Sequence, residues 1–84
     1  EAALSPQRQL TLLINIYRCA QEGAQFIIVS HSPILLGMPD AEIFSFDNCT
    51  IHPCQYEDTD SYVITKTFVN NRQHFLNQLL NEET

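Results

Sequence analysis

Phe26, Ile27, Ile28 and Val29 form an uninterrupted apolar run of aromatic and β-branched side chains between Gln25 and Ser30. A strand with one wet face alternates apolar and polar residues, so a continuous run of this kind predicts a strand covered on both faces, as in a parallel sheet. Such a strand needs neighbours, and the rest of the chain offers only two short candidates, residues 42–46 and 50–54. They are joined by Asp47, Asn48 and Cys49, where the Asp and Asn supply turn chemistry, so these two read as a hairpin, with Pro53 confining the second to an edge. One two-sided strand and one hairpin do not make a two-sided sheet. The missing strands are expected upstream of residue 1, which is Glu rather than Met and leads directly into an apolar stretch, the look of a fragment.

The helical signals are clear. Ser5 followed by Pro6 is a strong start, because the hydroxyl can accept from an orphan backbone N–H and proline loses no hydrogen bond in the first turn. A helix is expected over residues 6–22, with Leu10, Leu13, Ile14 and Tyr17 at helical spacing, Leu12 and Ile16 widening the apolar face to bury much of its girth, and Gly23 as its C-terminal cap. Ser32 and Pro33 repeat the start signal and predict a short helix through Ile34, Leu35 and Leu36, ended by Gly37 and Pro39. Beyond an acidic loop, Thr59 can cap a helix carrying Tyr62, Val63, Ile64, Phe68 and Val69. Asn70 and Asn71 break it, and a last helix from about Arg72 carries Phe75, Leu76, Leu79 and Leu80.

Composition narrows the partners. Of the 84 residues, four are Lys or Arg and ten Asp or Glu, a formal charge of −6 that repels nucleic acid. Arg8, Arg18, Lys66 and Arg72 are scattered, leaving no basic stripe for a phosphate backbone. Three cysteines are an odd number for a disulfide scaffold and favour a reducing compartment. Apolar runs fall far short of the roughly 20 residues that span a bilayer. A cytoplasmic protein with no membrane segment and no direct nucleic-acid contact by this segment is the expectation.

His31 is the most informative residue. It stands at the carboxyl end of the expected strand and just before a helix start, the edge where open α/β sheets bind ligands. There an imidazole can donate to a phosphate oxygen while the N–H groups of the next helix add positive potential. From position alone it can equally cap or pack at a strand end.

Glu1-Ala2-Ala3-Leu4-Ser5-Pro6, a long helix, the apolar strand with Ser30-His31-Ser32-Pro33, and a hairpin holding Phe44, Ser45, Phe46 and Asp47 together resemble the last third of an ABC-type ATPase domain. The closest resemblance is to the stand-alone AAA-family ATPases of the SMC-like branch, where Ser-His-Ser-Pro or Thr-His-Ser-Pro is common; Tyr56-Glu57-Asp58-Thr59 and the Asn-rich, Phe- and Leu-rich terminal helices look like one bacterial subgroup. The likeness covers nearly the whole chain. It implies an α/β, partial P-loop NTPase fold in the order helix, strand, short helix, β-hairpin and two C-terminal helices, all from one domain: a D-loop at residues 1–5, a switch-histidine strand at 25–31, a hairpin at 42–54 and C-terminal helices at 60–82.

By that resemblance Ala2, Ala3, Leu4 and Ser5 would pack across a dimer interface near the partner's nucleotide, although Ser5 stands where many members have Asp. His31 would be the catalytic switch histidine that contacts the γ-phosphate and helps orient the attacking water. The parent would bind ATP and Mg, work as a homodimer, and need the N-terminal part of the same domain as its partner. The chain itself holds two distant glycines, Gly23 and Gly37, and one lysine, Lys66, so it has no P-loop with which to wrap phosphates. The Q-loop, signature motif and Walker B residues are likewise not in it. The family pattern puts the catalytic glutamate two residues before Glu1, with Pro between. No hydrolysis by this chain alone is expected.

Other clusters carry less. Cys49, His52 and Cys54 make a C-x-x-H-x-C group with no fourth ligand near in sequence, and read as an exposed hairpin with incidental thiols. Ser30, His31 and Ser32 alternate faces and lack a nucleophile elbow. Glu57, Asp58 and Asp60 complement a helix dipole, His74 faces solvent, and Tyr17, Phe68 and Phe75 read as core. A reading from another class is a small non-catalytic module that self-associates through its exposed sheet edge and apolar helices.

Overall fold

A computed structural model describes residues 4–82. Helix α1 spans Pro6–Gln21, starting as expected: Ser5 is extended and its side chain accepts from the Arg8 N–H, with Pro6 in the first turn. It closes through Glu22 and Gly23. Gly23 has φ +105° and donates to the Ala20 carbonyl at 3.0 Å, while the Ala24 N–H reaches the Cys19 carbonyl at 3.0 Å. This pair of bonds is a Schellman closure, which needs a left-handed residue at that point and explains the glycine.

The expected strand differs. Residues 24–31 hold no regular secondary structure and pair with nothing among the described residues. Ile27 and Val29 are each 93% exposed, against 45% for Phe26 and 46% for Ile28. β-branched side chains favour extended backbone, but a ladder requires partners that the described residues do not supply. The short helix expected after Ser32 is also reduced, to a single 3₁₀ turn, Leu35–Gly37.

The hairpin forms as expected, with β1 at Ile43–Asp47 and β2 at Thr50–Cys54, antiparallel, in the register Ser45 opposite His52 and Asp47 opposite Thr50. Its two-residue loop puts Asn48 at φ 49° and Cys49 at φ 64°, the positive pair that defines a type I′ turn. Asn tolerates that region; a cysteine does not, and glycine is the usual second residue. Cys49→Gly is thus expected to stabilise the hairpin by about 0.5–1 kcal/mol, the left-handed penalty less the entropy lost by glycine, read as a rise in cross-strand NMR contacts between Ser45 and His52.

A second 3₁₀ turn, Tyr56–Asp58, leads to α2 at Asp60–Asn70, capped by Thr59, and α3 follows at Arg72–Glu82. The Asn71 break is braced by Phe68 against Phe75, edge to face with ring centroids 6.0 Å apart. The mixed helix-and-strand class holds: three helices and a two-stranded antiparallel sheet among the described residues.

The core does not close. Among the described residues none is buried, and Leu10, Leu12 and Ile14 of α1 lie exposed where a helix buried along much of its girth was expected. The accessible surface is 7221 Å² and the radius of gyration 15.7 Å. A compact monomer of this size has about 5,100 Å² and about 12 Å. The excess is apolar surface displayed by helix, extended segment and hairpin alike, including Phe44, Phe46 and Ile51 on one face of the sheet. No helix among the described residues is long and apolar enough to cross a membrane.

Candidate functional site

The site is assembled from the start of α1 and the turn after the extended segment. At the first, the Ser5 hydroxyl accepts from the Arg8 N–H at 3.2 Å and the Ser5 carbonyl from the Gln9 N–H at 2.9 Å. At the second, the Ser32 N–H donates to Ser30 Oγ at 2.9 Å, and Ser32 Oγ accepts from the N–H groups of Ile34 at 3.2 Å and Leu35 at 3.1 Å. A hydroxyl has one proton and two lone pairs. The Ser32 proton goes to Gln9 Oε1, so the group is fully used.

Gln9 joins the two places. Its Nε2 donates to the Leu4 carbonyl at 2.8 Å while its Oε1 receives the Ser32 proton. Leu4 and Ser5, two of the four expected interface residues, are thereby tied to the turn that carries His31; Ala2 and Ala3 lie outside the described residues. His31 itself is exposed, and no group among the described residues hydrogen-bonds its ring. It is not packed in an apolar enclosure.

One electrostatic expectation is corrected. The N–H groups at 34 and 35 that were to add positive potential beside His31 are already satisfied by Ser32 Oγ, and one 3₁₀ turn has too few aligned peptides to act as a helix terminus. Any anion at His31 meets the imidazole without that help.

The turn is held from its far side by Tyr56, whose hydroxyl donates to the Pro33 carbonyl. A Cβ at Gly37 would stand 3.3 Å from Tyr56 Cζ, so the glycine makes room for the ring. Tyr56 packs at 4.9 Å on Tyr62, over which Lys66 Nζ sits at 5.4 Å, a cation–π distance. Gln9 was not singled out from sequence, and Tyr56 entered only as part of the Tyr56–Thr59 stretch, with no contact assigned to it. The partners of both lie 23 residues away, and no local pattern reports such a pairing.

The remaining clusters separate. His52 Nε2 lies 3.1 Å from Asp47 Oδ2 across the hairpin, while Cys49 stands in the turn and Cys54 at the far end of β2, both as free thiols. Glu57 and Asp58 sit in the second 3₁₀ turn and Asp60 in the first turn of α2, the dipole-complementing place. Thr59 Oγ1 accepts from the Tyr62 N–H at 3.3 Å, as its cap role requires. His74 is exposed on α3, while Tyr17, Phe68 and Phe75 are half-buried.

The hydrogen bond to Asp47 raises the His52 pKa above the usual 6.5, with help from the Pro53 carbonyl and the Asp47 charge. A raised folded value means the pair contributes fully below 6.5 and is lost as pH rises through the folded pKa. Hairpin population, followed by amide shifts, is expected to be higher at about pH 5.5 than at about pH 8, and Asp47→Asn should flatten that dependence.

No family model, no curated protein and no solved structure matches the chain.

Proposed function

We propose that this chain supplies the D-loop and the switch histidine of an ABC/SMC-like, P-loop NTPase domain whose phosphate-binding loop and Walker B residues come from another part of the same parent protein. His31 contacts the γ-phosphate of Mg-ATP held between two protomers. Leu4 and Ser5, with Ala2 and Ala3, face the partner. Hydrolysis then drives the protomers apart.

One observation carries this reading: the uncovered apolar run of residues 26–29 leads into Ser30-His31-Ser32-Pro33 with the imidazole exposed. The amide of Gln9, linking Leu4 to Ser32, adds support by tying the two motifs together. The uncovered faces of residues 26–29 suit a strand awaiting neighbours on either side. The direct test is the reading frame ahead of Glu1. It should encode an apolar run ending in Asp-Glu-Pro, with a Gly-rich Lys-Ser or Lys-Thr loop well before it; a frame without either sinks the proposal.

The exposed segment also favours a second reading, a self-associating module that pairs strand to strand. Sedimentation separates the two, because a sheet-mediated dimer that binds no nucleotide belongs to the second alone.

A further inference from the structure

The geometry points to Gln9 as a positioning residue that couples the Leu4–Ser5 loop to His31. This inference rests on the proposed role of His31.

A carboxamide donates and accepts from a single rigid plane. Gln9 uses both ends: Nε2 holds the Leu4 carbonyl at 2.8 Å, and Oε1 receives the Ser32 proton. Ser32 in turn fixes the backbone on both sides of itself, through Ser30 Oγ before it and the N–H groups of Ile34 and Leu35 after it. His31 is the residue enclosed by that clamp. A displacement of Leu4, which precedes the capping residue of α1, reaches the histidine's backbone through two hydrogen bonds and one amide.

Gln9 and Ser32 are both half-buried, so these bonds are partly shielded from competing water. Gln9 itself is fixed in α1 by that helix's own backbone bonds. Of the described contacts to the histidine-bearing turn, the Gln9 amide and the Tyr56 hydroxyl are the side-chain hydrogen bonds from other elements, and Gln9 alone reaches the Leu4–Ser5 loop. When a partner protomer presses on that loop, Gln9 sets where the imidazole stands relative to the γ-phosphate.

The experiment is steady-state and single-turnover ATP hydrolysis by the full-length parent carrying Gln9→Ala, Gln9→Glu, Ser32→Ala, His31→Ala, and Gln9→Ala combined with each of the last two, with thermal midpoints measured alongside. Gln9→Ala and Ser32→Ala are each expected to lower kcat about tenfold with KM for Mg-ATP within about twofold, since the affected contact matters in the transition state. Their combination should lose no more than either alone. Gln9→Glu retains an acceptor for Ser32 and loses the donor to Leu4, so it gives an intermediate rate and covers the case in which Gln9→Ala does not fold. Adding Gln9→Ala to His31→Ala should change nothing further, which a merely structural role would not produce.

An inactive His31→Ala protein beside a Gln9→Ala protein of normal kcat overturns the coupling and leaves the functional reading standing. So does an equal Gln9→Ala loss with and without His31. A normal rate for His31→Ala removes the functional reading, and the coupling with it.

Discussion

Replacing His31 by Ala in the full-length parent is expected to lower ATP hydrolysis by about 100-fold, with ATP affinity changed less than about threefold. The size follows from where the ring would act. A donor aimed at charge that develops on the γ-phosphate is worth about 10²–10³ in rate, because it strengthens only as the transition state forms. Affinity for the ground state resides in the phosphate loop, which this chain does not contain, so binding and chemistry should part cleanly.

Stability gives a second separation. The imidazole is exposed and hydrogen-bonded to no group among the described residues, so removing it orphans nothing and the thermal midpoint should hold. His31→Gln keeps an N–H at similar reach and is expected to recover part of the loss. Equal losses of rate and affinity would instead place His31 in uniform substrate binding. An unchanged rate would remove it from the site altogether.

Legibility of the chain followed the range of each interaction. Ser5, Thr59, Gly23 and Asn71 act within four residues of themselves, so both capped starts, the Schellman closure and the break between α2 and α3 were readable from sequence. The hairpin was readable for the same reason, since Asp47 and Asn48 are local turn formers, with Asn48 taking the positive φ that the turn needs. What needed the whole molecule was not. The Gln9 amide meets Ser32, and Tyr56 meets Pro33, across 23 residues, through contacts that neither periodicity nor capping chemistry encodes.

The strand at residues 26–29 shows the opposite failure. Its apolar pattern was legible, but no strand forms there among the described residues, because side chains only favour extended backbone whereas a ladder is a property of neighbours. The burial expected of α1 failed likewise: an amphipathic face states what a helix can cover, and covering needs a surface to meet.

That distinction yields the other large effect. Ile27→Asp in the isolated 84-residue chain is expected to change little, within about 0.5 kcal/mol, because the side chain is already 93% exposed. The same substitution in the full-length parent should cost about 3–5 kcal/mol, the penalty for a buried charge left without a partner. Val29→Asp should behave alike, its side chain pointing to the same face by the two-residue period of extended backbone. Ile28→Asp tests the other face, and a comparable loss there would mean that both sides are covered, as in a parallel sheet. The measurement is denaturant unfolding of the parent proteins, with amide shifts and sedimentation for the isolated chain, where none of the described residues is buried to support a cooperative transition. A parent that tolerates all three aspartates as readily as the 84-residue chain would leave residues 26–29 without a sheet to belong to, and the histidine at their end without the pocket proposed for it.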